Sequence, residues 1–197
     1  MKILKLIAFI LLVSSSVLAE APQDLVRRTV DEVKRVVMAG QEKNTQEEID
    51  AKVRDVVSPV FDFEEMSRRS LGPNWKKGTP EQRKEFVSVF SELLAKTYLK
   101  RIRNNALTSE VKILSSDVDE NKALVRTVAI SDGDDITVDY RMRMRNNKWT
   151  IYDIIIANVG LVSNYRSEFS GIVSNEGFAG LISRLREKHL SNDDEQS

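Results

Sequence analysis

The sequence predicts an α+β fold in which helices pack on one face of a curved, four-stranded antiparallel sheet. Three observations predict it. Apolar residues recur at spacings of three and four from Leu25 to Ile102, the period of an amphipathic helix. From Val111 to Ala157 the period falls to two, with turn residues between the runs, which reads as consecutive hairpins. After Gly160 the helical spacing returns in Leu161, Val162, Tyr165, Phe169 and Ile172. Helices and strands segregated into runs in this way argue for α+β architecture.

The first 19 residues read as a secretory signal. Lys2 and Lys5 precede an apolar core from Leu6 to Val13, and Val17-Leu18-Ala19 places small residues where a signal peptidase reads them. The apolar run is well short of the roughly 20 residues that span a bilayer. No cysteine follows it, which excludes a lipidated N-terminus. Residues 20–190 are then expected to form one domain, and 191–197 a disordered polar tail.

Leu25, Val26, Val30, Val33, Val36 and Val37 define a first helix from about Pro22 to Ala39, before Gly40. Thr45 with Glu48 is a capping box for a second helix, which Pro59 limits. Asp62 with Glu65 reads as the box of a third, ending at Gly72-Pro73. Thr79-Pro80-Glu81-Gln82 opens the fourth, running to about Asn104, with the proline in the first turn where its missing N–H costs nothing.

The strands follow. Val111 to Leu114 and Ala123 to Ser131 flank the turn Asp119 to Lys122. In the third strand Ile136, Val138, Tyr140, Met142 and Met144 point one way, while Thr137, Asp139, Arg141, Arg143 and Arg145 point the other, so one face is expected buried and one wet. Trp149 to Ala157 is apolar at almost every position and rich in β-branched residues, as a strand in the middle of a structure should be. Two helices close the chain, the second from about Glu176 to His189.

Composition excludes several functions. Without Lys2 and Lys5 the mature chain has 28 basic and 30 acidic side chains, a formal charge of −2, and no net-charge case for nucleic acid. With no cysteine and one histidine, His189, the ordinary zinc and thiol chemistries lack their ligands and nucleophile. Neither a metal nor a cofactor is expected. Carboxylate catalysis has two candidates, the group Asp62, Glu64 and Glu65, whose ordinary reading is a cap and a favourable helix start, and Asp153 beside Tyr152, whose ordinary reading is an acid answering an arginine or a backbone N–H. Arg68, Arg69, Lys76 and Lys77 form a basic cluster suited to a phosphate, although such clusters are most often solvated faces.

The segments FDFEEMSRRSLGPNWKKGTPEQRKEF, FSELLAKTYLKRI and KWTIYDIIIANVGLVSNYRSEF resemble the MlaC family, the toluene-tolerance family of periplasmic phospholipid-binding proteins. The resemblance runs from about Leu25 to Leu190 and departs at Gly160, where many members carry serine. It implies a soluble, monomeric periplasmic carrier that moves phospholipid between an outer-membrane lipoprotein complex and an inner-membrane ABC transporter bearing an MCE-domain ring. It also implies an apolar cavity between sheet and helices, with the bound phospholipid as cargo.

The residues expected to line that cavity are Phe86, Phe90, Leu94 and Tyr98 from the long helix, and Val138, Tyr140 and Met142 from the third strand. Tyr152, Ile154 and Val159 come from the fourth strand and its turn, and Leu161, Val162, Tyr165 and Phe169 from the helix that follows. Periodicity reads the same for a filled core and a lined cavity, so the resemblance carries this step. Two rival readings stand beside it: a small hydrolase using Asp153 and Tyr152, and a chaperone-like module that shields apolar segments of exported proteins.

Overall fold

A computed structural model of the chain describes residues 20–131 and 133–194, with side chains to Glu187. The signal read at 1–19, Asp132 of the second hairpin turn, residues 195–197 of the tail and the side chain of His189 lie outside the described residues. Five helices, α1 (Pro22–Gly40), α2 (Gln46–Val57), α3 (Phe63–Leu71), α4 (Pro80–Asn105) and α5 (Leu161–Asp194), accompany strands β1 (Glu110–Asp119), β2 (Lys122–Ser131), β3 (Asp134–Arg145), β4 (Lys148–Ile156) and β5 (Val159–Gly160). Short 3₁₀ turns at Ser58–Val60 and Gly72–Lys77 flank α3.

The expected caps form where sequence placed them, with one exception. Thr45 and Glu48 close a capping box on α2, and Thr79 and Gln82 close one on α4. On α3 only half of the box forms. Asp62 accepts from Glu65 N at 2.9 Å, but its own N–H is taken by the Ile151 carbonyl at 2.8 Å, and the Glu65 carboxylate turns elsewhere. Gly40 ends α1 against α2, where a Cβ would stand 2.7 Å from Ile49 Cγ1.

The sheet has five strands in the order β1-β2-β3-β4-β5, all antiparallel, and not the four expected. The fifth is created by Ala157 and Asn158, at φ 47° and 67°, a two-residue hairpin turn with both residues left-handed. Alanine is a poor marker for that conformation, so sequence carries the fourth strand on to Ala157 and takes Asn158 to Gly160 as a break, where the structure has a turn and then β5. Asn146 and Asn147, at φ 49° and 60°, make the β3–β4 turn as their type suggests.

Register puts one apolar face together. Ile113, Thr127, Val138 and Ile156 form a row across four strands, and Val125, Tyr140 and Ile154 form the next. α1 lies against β1 and β2, while α3 and α5 lie against β4, and α4 packs on α2, α3 and α5. Phe61 bridges to Ile151 at the β4 edge that β5 leaves open. The other face of β3 is less wet than expected, because Arg143 turns toward α3 and is only 24% exposed.

α5 is two helices joined at Gly177, which sits at φ 74°, ψ −178°, and the second runs on to Asp194 past the end expected near His189. That backbone region is essentially open to glycine alone. Gly177→Ala should therefore cost about 1–3 kcal/mol of unfolding free energy in urea titrations; a loss under about 0.5 kcal/mol would show that the joint tolerates a side chain.

Candidate functional site

Buried apolar side chains fall into three clusters. The largest lies among α3, α4 and α5, where Phe86, Phe90, Tyr165 and Phe169 stack or meet edge to face at centroid distances of 5.0 to 5.5 Å. The second joins α1 to the sheet through Leu25, Val26, Val125, Met142, Trp149 and Ile151. The third holds α1, α2 and α4 together through Val33, Val37, Ile49, Val53 and Leu99. A domain of this size ordinarily builds one contiguous core with smaller satellites. Here three clusters stand separately, each bordered by half-buried side chains, and Phe61 is packed against both the helical and the sheet cluster.

Those side chains are apolar or aromatic. Tyr98 and Tyr152 border the helical cluster, Ile113, Tyr140 and Ile154 the sheet cluster, and Val56 and Val57 the third. Val138 and Ile156, paired with each other across β3 and β4, are half-buried as well. The fourteen residues singled out from sequence divide accordingly. Phe86, Phe90, Leu94, Val162, Tyr165 and Phe169 are inside the helical cluster, none more than 6% exposed. Met142 is in the sheet cluster at 0% and Leu161 is buried at the start of α5. Tyr98, Val138, Tyr140, Tyr152 and Ile154 are half-buried, and Val159, on the short edge strand, is 57% exposed.

Tyrosine hydroxyls near this zone are paired. Tyr98 and Tyr165 hydrogen-bond one another, and burial pushes the Tyr165 hydroxyl up to about 12. Tyr140 bonds to the Thr127 hydroxyl, and burial pushes it up to about 12 too. Tyr140 nevertheless keeps accessible surface.

Asp153 is a structural acid. It is 3% exposed; Oδ1 accepts from Val162 N at 3.0 Å, and Oδ2 accepts from Arg141 Nη1 at 3.1 Å. Both oxygens are thus committed, one to the first turn of α5, where an anion meets the positive end of the helix. Tyr152 lies under the Arg69 guanidinium, 4.2 Å from its ring centroid. Among the described residues no group of three or more His, Asp or Glu side chains is placed to hold a metal ion.

Glu65, 5% exposed, is the hub of the basic cluster. Arg68 donates to both its oxygens at 3.0 and 2.7 Å, Arg69 Nε donates at 2.6 Å, and Arg143 Nη1 reaches it at 2.7 Å from β3. Burial alone would raise this carboxyl, but the bonds from Arg68 and Arg69 and the charges of Arg69 and Arg143 outweigh it and bring it down to about 2. Arg68 and Arg69 therefore serve an internal anion. Lys76 and Lys77 remain exposed on the turn that follows.

The MlaC family model matches residues 27–187. The chain belongs to the MlaC family. Similar proteins include the intermembrane phospholipid transport system binding protein MlaC of Haemophilus influenzae, 23% identical over 185 residues that make up 89% of this chain and 86% of that one. The phospholipid-binding protein of Ralstonia solanacearum, solved in complex with a phospholipid, matches with a TM-score of 0.80 and 25% identity over 87% of this chain and 98% of its own.

Two surface grooves are also present in this MlaC-family fold. One of about 590 Å³ lies between α4 and α5, beside Lys84, Ser88 and Arg186. The other, of about 680 Å³, lies among α1, Val60 and the β3–β4 turn, beside Arg28 and Trp149. Neither is lined by any of the fourteen residues. Sequence reasoning does not single out Thr127 or Ile156, and it reads Glu65 as a cap partner rather than as the anion that holds the arginines. Ile156 was within reach, because it shares the period-two face with Ile154.

The depressed Glu65 carboxyl sets a pH dependence. Its stabilising effect is complete above its unfolded value of about 4.3 and is lost as pH falls through about 2, a change of order 3 kcal/mol. Urea midpoints measured across the acid range should fall more steeply for the native chain than for Glu65→Gln. Parallel pH profiles would show that the arginine cage contributes no linkage.

Proposed function

We propose that this MlaC-family chain is a phospholipid carrier working between the inner and outer membranes, with acyl tails held between the sheet and the helices and the head group outside. The observation that carries the reading is the run of half-buried apolar side chains on the sheet face, where Val138 pairs with Ile156 and Tyr140 with Ile154. The naming of the Haemophilus relative and the phospholipid bound by the Ralstonia protein support the same ligand.

Physical chemistry supplies the reason for such a zone. Each tail CH₂ moved out of water contributes about 0.8 kcal/mol, so a two-tailed lipid crosses an aqueous gap at a useful rate only inside an apolar container. Tyr98, Val138, Tyr140, Tyr152, Ile154 and Ile156 are the side chains with both the chemistry and the open area to contact tails. Phe86, Phe90 and Phe169 serve instead as the rigid wall behind them. Methionine at Met144, half-buried beside the sheet cluster, adapts readily to chains of mixed shape. No helix among the described residues is long and apolar enough to cross a membrane. The carrier's donors and acceptors on this reading are an outer-membrane lipoprotein complex and an inner-membrane ABC transporter with an MCE-domain ring. The chain needs no cofactor and works as a monomer. Asp153 has both oxygens occupied, so nothing in its surroundings favours the hydrolase.

Protein purified without detergent should release stoichiometric phospholipid on organic extraction, read by mass spectrometry; repeated recovery of empty, folded protein would contradict the carrier. Val138→Glu should lower lipid occupancy by more than about tenfold, since a carboxylate among tails costs several kcal/mol. Its cost in stability should stay below about 2 kcal/mol. Equal losses of occupancy and stability would mark Val138 as ordinary core.

A further inference from the structure

Resting on that carrier reading, we infer that Tyr140 is the floor of the cavity and limits how long an acyl tail the chain accepts. The residue stands at a boundary along β3. Below it Met142, paired with Ala123 on β2 and Ile151 on β4, is packed against α1 at 0 to 6% exposure. Above it Val138 is half-buried, and Ile136 at the head of the strand is 44% exposed. All four β3 residues point to one face. Access therefore rises step by step from Met142 to Ile136, and Tyr140 is the first side chain above the filled core.

The ring is also fixed in place. Thr127 Oγ1 donates to the Val138 carbonyl at 2.6 Å. The Tyr140 hydroxyl has Thr127 as its hydrogen-bonding neighbour. Thr127 pairs with Val138 across β2 and β3, which makes Tyr140 its diagonal neighbour, within reach of a long side chain. A rigid ring held on the strand beside Thr127 gives way less than a flexible aliphatic chain would.

The test uses the full chain, purified without detergent and exchanged against vesicles holding equal amounts of short-, medium- and long-chain phosphatidylethanolamine. Acyl length in the recovered lipid is read by mass spectrometry for wild type, Tyr140→Phe and Tyr140→Ala. Tyr140→Ala should shift the bound lipid toward longer tails, while Tyr140→Phe, which keeps the ring, should retain the wild-type distribution. A folded Tyr140→Ala that keeps the wild-type distribution overturns the floor and leaves the carrier standing. A wild type that recovers no lipid overturns the carrier and the floor with it. Where Tyr140→Ala does not fold, Val138→Phe is read instead: a second ring above the floor should shift the lipid toward shorter tails, and an unchanged distribution overturns the proposal.

Discussion

The inner face of the sheet offers more apolar surface than the helices cover, and the rest of the architecture follows from that mismatch. α1 covers the lower part, where Val125 and Met142 are completely buried. Higher on the same face Val138, Ile154 and Ile156 stay half-open. An apolar face left partly uncovered carries a free-energy cost of about 25 cal/mol per Å². In the proposed carrier a lipid tail relieves that cost, so the same surface that weakens the empty fold drives cargo uptake.

On the proposed reading a gap has to stay open, and polar contacts would hold its walls apart. Arg103, 8% exposed, ties α4 to α2 by donating to the Gln46 carbonyl at 3.0 Å and to Asp50 at 2.9 Å. Asp153 ties β4 to the start of α5, and Glu65 ties α3 to β3 through Arg143. These contacts are directional and hold elements at set separations, whereas apolar packing by itself would favour closing the gap. The interlocked rings of Phe86, Phe90, Tyr165 and Phe169 make the helical wall stiff in the same sense.

Much of this was legible in the chain, and the misses have physical causes. Thr45 and Thr79 announce their helices because a cap is a local interaction. The edge strand β5 was hidden because Ala157 adopts a left-handed conformation that its residue type does not advertise. Glu65 looked like the partner in a local box, but arginines on its own helix and on a distant strand hold it, and a contact with Arg143 is a fact of tertiary structure. The arginine row on β3 read as solvated for the same reason. Depth was the hardest to read. Phe86 and Tyr140 both lie on apolar faces at the right spacing, yet one is sealed in a core and the other is half-buried, and periodicity carries direction without distance from solvent.

The central claim is that hydrocarbon occupies the zone between the cores. Isotope-filtered nuclear Overhauser spectroscopy on the lipid-loaded chain tests it most directly, by reading which methyl groups lie beside acyl methylene protons. The account predicts contacts from Val138, Ile154 and Ile156, and none from Leu181 or Leu185, which are 0% and 2% exposed inside the helical core. Contacts confined to Val89 or Val60 on the two surface grooves, with the sheet methyls silent, would contradict it.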